Sequence, residues 1–278
     1  MRFGLLEVIV VLFVVAVLGT LAIPAVFSAR EAARMAQCEN NVRQIGLGVL
    51  TFEHPNRAYP YGTIQNADLA PDKRWSWYIG AWGYVLDGQI GLEIDRKKAW
   101  DTPANLAMTT HVRGENDEDV VGHAYSVHLL LCPAGPRLEL PSGIGQTNYV
   151  GMAGNGLDAA VGPLAKGSGI FGYDRQCTKE DLRDGAEFTL LVIETGDNPG
   201  PWTAGGPATV RGADGDKLPL LGYGRQFGGL HRQKAIAGMA DGSGRVLSDD
   251  MDPTVFLGLT TIDDGEREQG PRPAVDLP

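Results

Sequence analysis

Leu5-Leu6-Glu7-Val8-Ile9-Val10-Val11-Leu12-Phe13-Val14-Val15-Ala16-Val17-Leu18-Gly19-Thr20-Leu21-Ala22-Ile23-Pro24-Ala25-Val26-Phe27 carries a single charge, Glu7. At about 1.5 Å per residue this stretch spans roughly 35 Å as a helix, enough to cross a hydrocarbon core of about 30 Å. A cleaved secretory signal would need a basic start, an apolar region of about 7–15 residues and small residues at the cut. Here the run is longer, and Ala22-Ile23-Pro24-Ala25 leads into more helix-forming sequence. The segment therefore reads as a membrane span. Arg2 lies on one side of it and Arg30 and Arg34 on the other, so basic residues alone do not orient it. A carboxylate inside such a run is costly and calls for a positive partner, either Arg2 or an amine at a helix start, or else for snorkelling to the interface.

Helix-forming sequence continues outward. Ser28 to Gln37 is rich in Ala, Arg, Glu, Met and Gln, and Val42, Ile45, Val49 and Phe52 recur every three or four residues. This predicts an amphipathic second half that packs on a globular head and stops near His54-Pro55-Asn56. Pro24 removes one backbone hydrogen bond, and a bend is expected there rather than an end, because helix formers resume at once.

The whole chain has 278 residues, a net charge of −10 and three cysteines. A nucleic-acid binder needs a basic footprint, and a disulfide-dense miniprotein needs more cysteine in a shorter chain. Both are excluded. The first 60 residues contain 5 basic and 4 acidic side chains, leaving 19 against 30 beyond them, so the acidity belongs to the head. Val127 to Leu131 and Phe188 to Ile193 read as short buried strands, and Ala235 to Leu247, turning at Asp241-Gly242, as a hairpin. Residues 56–72, 111–123 and 196–217 read as long polar insertions suited to binding, and the chain from Thr261 as an extended or disordered tail.

Several motifs together carry a resemblance. Leu5-Leu6-Glu7 before the apolar run, Ala29-Arg30-Glu31-Ala32-Ala33-Arg34, Gln37-Cys38, Asn40-Asn41 and Gln44-Ile45-Gly46-Leu47 resemble a type IV prepilin-like N-terminus. Trp75-Ser76-Trp77, Trp100 to Asn105, Leu131-Cys132-Pro133, Asn148-Tyr149-Val150-Gly151, Gly169-Ile170-Phe171-Gly172 and His231 with Asp241-Gly242 extend it over most of the chain. The combination is similar to the DUF1559 family of large pilin-like proteins. The resemblance implies an α+β, pilin-like fold: a long N-terminal helix, half in the membrane and half packed on an antiparallel sheet. It also implies assembly into a filament or pseudopilus through the apolar helices. Phe3, Glu7 and Pro24 become assembly residues, Glu7 meeting the N-terminal amine of a neighbouring subunit. Two opposite charges in a low dielectric both need such a partner.

One position departs from that pattern. Prepilin peptidase cuts after glycine, and Arg2 stands directly before Phe3, with Gly4 two residues later. Two alternatives follow: a start upstream of the sequence given, or an uncleaved signal anchor whose Arg2 could pair with Glu7.

The resemblance also places Cys38 and Cys132 in family motifs and Cys177 in a variable loop. Outside the cytoplasm a Cys38–Cys132 disulfide would pin helix to sheet, closing a loop of about 95 residues; the alternative is three reduced thiols. His231, Asp241 and Gly242 read as a structural unit, with His231 bracing a hairpin whose turn is Asp241-Gly242. His54, His111, His123 and His128 lack zinc-type spacing. Asp214-Gly215-Asp216 could offer oxygens to calcium, an ion that major pseudopilins of type II secretion hold in a C-terminal loop, though it lacks EF-hand spacing. Trp75, Trp77, Tyr78, Trp82 and Tyr84 suit core packing, or stacking on sugar rings if exposed.

The sequence thus divides into a membrane segment (1–27), an amphipathic continuation (28–55), a β-rich head (56–260) and a tail (261–278). The expected role is a non-enzymatic, single-pass subunit of the cytoplasmic (inner) membrane, its head periplasmic or extracellular. It would associate with itself or with other pilin-like subunits and be a possible substrate of prepilin peptidase. The alternative is an anchored module that binds a glycan or other ligand and never polymerises. An enzyme ranks third, since no nucleophile, base and oxyanion site are recognisable together.

Overall fold

The computed structural model describes residues 4–85, 94–113, 119–121, 127–136, 138, 140 and 144–264, without the side chains of Glu7, Val8, Trp82, 108–113 and 119–121. Arg2, Phe3, His123 and the residues beyond 264 lie outside the described residues. Helix α1 (Leu5–Asn56) runs unbroken through Pro24. It ends where Arg57 turns to a φ of 57° and its N–H bonds the Glu53 carbonyl at 2.7 Å. Its apolar half stands clear of the other described residues, none of its hydrophobic window being buried among them. The other half meets the head through Cys38, Val42, Ile45 and Val49, all fully buried at helical spacing.

The short helices α2 (Trp77–Gly80), α3 (Trp82–Val85) and α4 (Pro103–Thr110) precede a two-stranded ribbon, β1 (His111–Arg113) with β2 (Asp119–Val121). The main sheet contains β3 (Tyr149–Asn155), β4 (Leu190–Glu194), β5 (Val210–Ala213), β6 (Lys234–Met239) and β7 (Gly244–Ser248) in the order β5-β3-β4-β6-β7. The fold is α+β, but the sheet is mixed: β3 and β5 pair in parallel, the other neighbours antiparallel. The parallel pair arises because residues 196–217, read as an insertion, return across the head. They bury Trp202, Ala204 and Val210 and supply the edge strand β5.

Both faces of the sheet are covered, which is why β4 reads as an unbroken apolar run. Ile236 and Val192 join the core under α1, whereas Ala235, Ala237 and Ile193 join a second core with Phe227 and Phe256. Phe256 lies on α5 (Pro253–Leu259), capped by the Asp252 side chain, which accepts from the Thr254 N–H at 2.7 Å. The helix comes close to the sheet at two glycines. A Cβ on Gly238 would lie 3.3 Å from the Val42 carbonyl oxygen, and one on Gly46 would lie 3.1 Å from Gly242 Cα.

Two further expectations change, and of the two readings of the aromatic cluster core packing is the one seen for its first three members. Val127 to Leu131 forms a 3-10 turn (His128–Leu130) rather than a strand, since the disulfide at Cys132 and the following Pro133 hold it across the helix. Thr261 and Ile262 are buried, and Ile262 N–H bonds the Ser168 carbonyl at 2.9 Å, so the head continues past the expected start of the tail. Trp75, Trp77 and Tyr78 are core residues, with Trp77 stacked on Tyr78 at 3.8 Å, while Tyr84 is half exposed and packs edge-on to Phe52.

Candidate functional site

Four elements meet where α1 first enters the head. Helix α1 brings Cys38, the first of its fully buried positions, and Glu31 two turns earlier. The 3-10 turn presents Cys132, which forms a disulfide with Cys38 across a Cα–Cα distance of 5.5 Å. Strand β4 ends on Glu194, and the segment before β6 supplies His231. His231 Nδ1 lies 2.8 Å from Glu31 Oε1, and its Nε2 lies 3.3 Å from Cys132 Sγ and 3.8 Å from Glu194 Oε2. The ligand-type atoms of Cys38, Cys132, Glu194 and His231 all fall within 4.8 Å of one another, and all four residues are buried.

Buried amides hold this arrangement. Asn148 Oδ1 accepts from the Cys132 N–H at 3.1 Å, and its Nδ2 donates to the Thr195 carbonyl at 3.4 Å. Asn41 Nδ2 donates to the Leu131 carbonyl at 3.0 Å and toward the Tyr149 hydroxyl at 3.4 Å. Each amide thus satisfies backbone groups that the irregular Leu131-Cys132 segment cannot pair within a sheet.

Glu194 is the anomaly of the site. It is fully inaccessible, and neither carboxylate oxygen accepts a hydrogen bond of normal geometry. Burial pushes its carboxyl up to about 8, with the Ile236 amide opposing and the Glu31 carboxylate adding to the rise.

The residues singled out from sequence fall in different places. Cys38, Cys132 and His231 converge here, and the His231 ring faces α1 and Cys132 rather than the hairpin turn. Asp241 and Gly242 form that turn: Asp241 Oδ1 accepts from the Ser243 N–H at 2.8 Å, and Gly242 has a φ of 84°. Phe3 and the Glu7 side chain lie outside the described residues, and Pro24 sits within α1. Asp214 pairs with Lys217 at 3.0 Å and accepts from the Asp216 N–H at 3.3 Å, so an ammonium already faces the carboxylate considered for calcium. Glu31 and Glu194 were not singled out as site residues. Glu194 had a signal, an acid closing an apolar strand; Glu31 looked like one more charge on a polar helix.

A second feature, lined by none of the four junction residues, is an open groove of about 740 Å³ bordered by Asp197, Asn198, Arg211, Asp214, Lys217 and Arg225. Its Arg211 is committed to the fold, donating to the Asp197, Asn198 and Pro207 carbonyls at 2.9, 2.7 and 2.8 Å.

No curated protein and no solved structure matches this chain. A family model described as a protein of unknown function (DUF1559) matches residues 27–217, more than two thirds of the sequence and most of the elements that build the junction. The chain belongs to the DUF1559 family.

Proposed function

We propose that this protein is a membrane-anchored structural subunit of pilin or pseudopilin type, which assembles through the apolar half of α1. One observation carries the reading. Among the described residues from Leu5 to Phe27 no large side chain is buried, and Leu5, Phe13, Leu21 and Phe27 are exposed. Lipid covers such a surface, and so do the equivalent helices of neighbouring subunits. Phe3, Glu7 and Pro24 are the assembly residues in this reading. Glu7 is the polar pin, its carboxylate meeting a positive group of a neighbour in low dielectric. The Cys38–Cys132 disulfide suits a head outside the cytoplasm. The partners are other copies or related subunits, with no enzymatic step and no nucleic acid.

The groove beside Arg225 and Lys217 favours a second reading, an anchored module that binds a glycan or other ligand without polymerising. Glu7→Ala separates the two. Membrane cross-linking through single cysteines placed along residues 9–20 is expected to give ladders of oligomers that Glu7→Ala abolishes. Monomers with or without Glu7 would sink the assembly reading and leave the anchored module.

A further inference from the structure

We propose that the junction is also a zinc site: with Cys38 and Cys132 as thiols, this protein binds one zinc ion through Cys38, Cys132, His231 and Glu194. The inference is independent of assembly. It concerns the head alone.

The donor set is complete before any metal is considered. Two sulfurs, one imidazole nitrogen and a carboxylate oxygen lie within 4.8 Å of one another on four different elements, all buried. Tetrahedral zinc places such donors at about 2.0–2.3 Å from the ion, so they must end up roughly 3–4 Å apart. His231 Nε2 is already 3.3 Å from Cys132 Sγ and 3.8 Å from Glu194 Oε2. Opening the sulfur–sulfur bond is the main change required.

Two independent observations point to a cation. The first is Glu194, whose two inaccessible oxygens accept no hydrogen bond of normal geometry, a costly state for a carboxylate that a bound cation relieves. The second is Glu31. Its carboxylate at 2.8 Å from Nδ1 fixes the proton there and turns the Nε2 lone pair toward the sulfurs and Glu194. A carboxylate behind a histidine is how metal-bound imidazoles are commonly oriented. Two thiolates with imidazole and carboxylate suit zinc better than magnesium or calcium, which take oxygen ligands.

The newly made chain carries Cys38 and Cys132 as thiols. Binding replaces the two S–H protons by two Zn–S bonds and any proton held by the Glu194 carboxyl by a Zn–O bond, releasing them to solvent with no electron transferred. Zinc and the disulfide are therefore alternative closures of one joint, since sulfurs bonded to each other cannot both act as thiolates.

The test uses the full chain in detergent, its disulfide reduced with a phosphine that leaves no thiol chelator, then titrated with zinc. The expected result is one zinc per reduced chain and none per oxidised chain. X-ray absorption should show two sulfurs at about 2.3 Å. Loss of an outer hydrogen-bond partner of a ligand costs ~10–100-fold in metal affinity, so Glu194→Gln should weaken binding at least ~10-fold. Asp214→Asn, in the groove that none of the four ligands lines, should change nothing. Equal uptake by the oxidised chain, a coordination shell without sulfur, or no stoichiometric uptake by the reduced chain would overturn the proposal. If reduction unfolds the head, recovery of the near-ultraviolet signal of Trp75, Trp77 and Trp202 on adding zinc supports the site, and failure to recover it counts against it.

Discussion

His231 Nδ1 and Glu31 Oε1 stand 2.8 Å apart across 200 positions of sequence, tying the segment before β6 to α1 below Cys38. The His231 side chain is fully buried and that of Glu31 is about one-third exposed, so the bond sits at the edge of the head, where the exposed apolar half of α1 begins. Hydrogen bonds to charged groups contribute about 1.5–3 kcal/mol each. Glu31→Ala should therefore destabilise the head by about that much and raise amide exchange around residues 31–38 first. A variant with unchanged unfolding and unchanged exchange would show that the contact does no structural work.

The disulfide acts on the same junction by another route. Cys38 and Cys132 are 94 residues apart, and closing a loop of that length stabilises by about 4–5 kcal/mol in the chain-entropy model. Reduction in the presence of a chelator should lower the denaturant midpoint by a corresponding amount, as should Cys38→Ser. Coincident unfolding curves for oxidised and reduced chains would contradict this.

Gly48 offers a test in which helix propensity and packing oppose each other. Glycine to alanine inside a helix ordinarily gains about 1 kcal/mol. At Gly48, however, the new Cβ would stand 2.6 Å from Val85 Cα and 2.7 Å from the Tyr84 carbonyl oxygen, both backbone atoms of α3 or held by it. Overpacking of this kind costs about 1–3 kcal/mol, and a backbone has little room to yield. Gly48→Ala should therefore destabilise on balance, whereas Gly19→Ala, with nothing within 4 Å, should leave the unfolding of the head within about 0.5 kcal/mol of the parent. A stabilised Gly48→Ala would mean that α3 moves freely.

Cys177 is buried and outside the disulfide. Burial pushes its thiol up to about 12, the Asp181 carboxylate adds to this, and the Arg175 guanidinium opposes it. The unfolded thiol titrates near 8.5. The folded state thus holds its proton longer, and the stability this gives is complete below about pH 8.5 and is lost as pH climbs toward 12. Thiol alkylation at pH 8 should label Cys177 only after denaturation, and Cys177→Ala should flatten the alkaline loss of stability. Rapid labelling of the native protein would refute the burial.

Periodic features were legible in the sequence. The apolar run and the Val42, Ile45, Val49 spacing gave α1 to within a residue of its end, and Ala235 to Leu247 gave the β6–β7 hairpin with its Asp241-Gly242 turn. Val127 to Leu131 misled because a short apolar run looks alike in a strand and in a buried turn, and only the Cys132 tether decides between them. The parallel pairing of β3 with β5 depends on a crossover through residues that individually read as loop. The junction was least legible. Its members sit at 31, 38, 132, 194 and 231, and no spacing rule joins residues that meet only after the sheet has formed. Zinc-type spacing of histidines finds local sites, and this one is assembled from four elements.

The unbroken course of α1 from Leu5 to Asn56 couples angle as well as position. Each helical residue turns the axis by about 100°, so the residue count along α1 sets the compass bearing of the head relative to the apolar half of the helix. One alanine inserted after Phe27 would swing the head by about 100° relative to the apolar half of α1, while seven would return it to within roughly 20°. The helix is then a phase-setting axle, and in the assembly proposed above the twist between neighbouring heads would follow the residue count between the apolar half and Cys38.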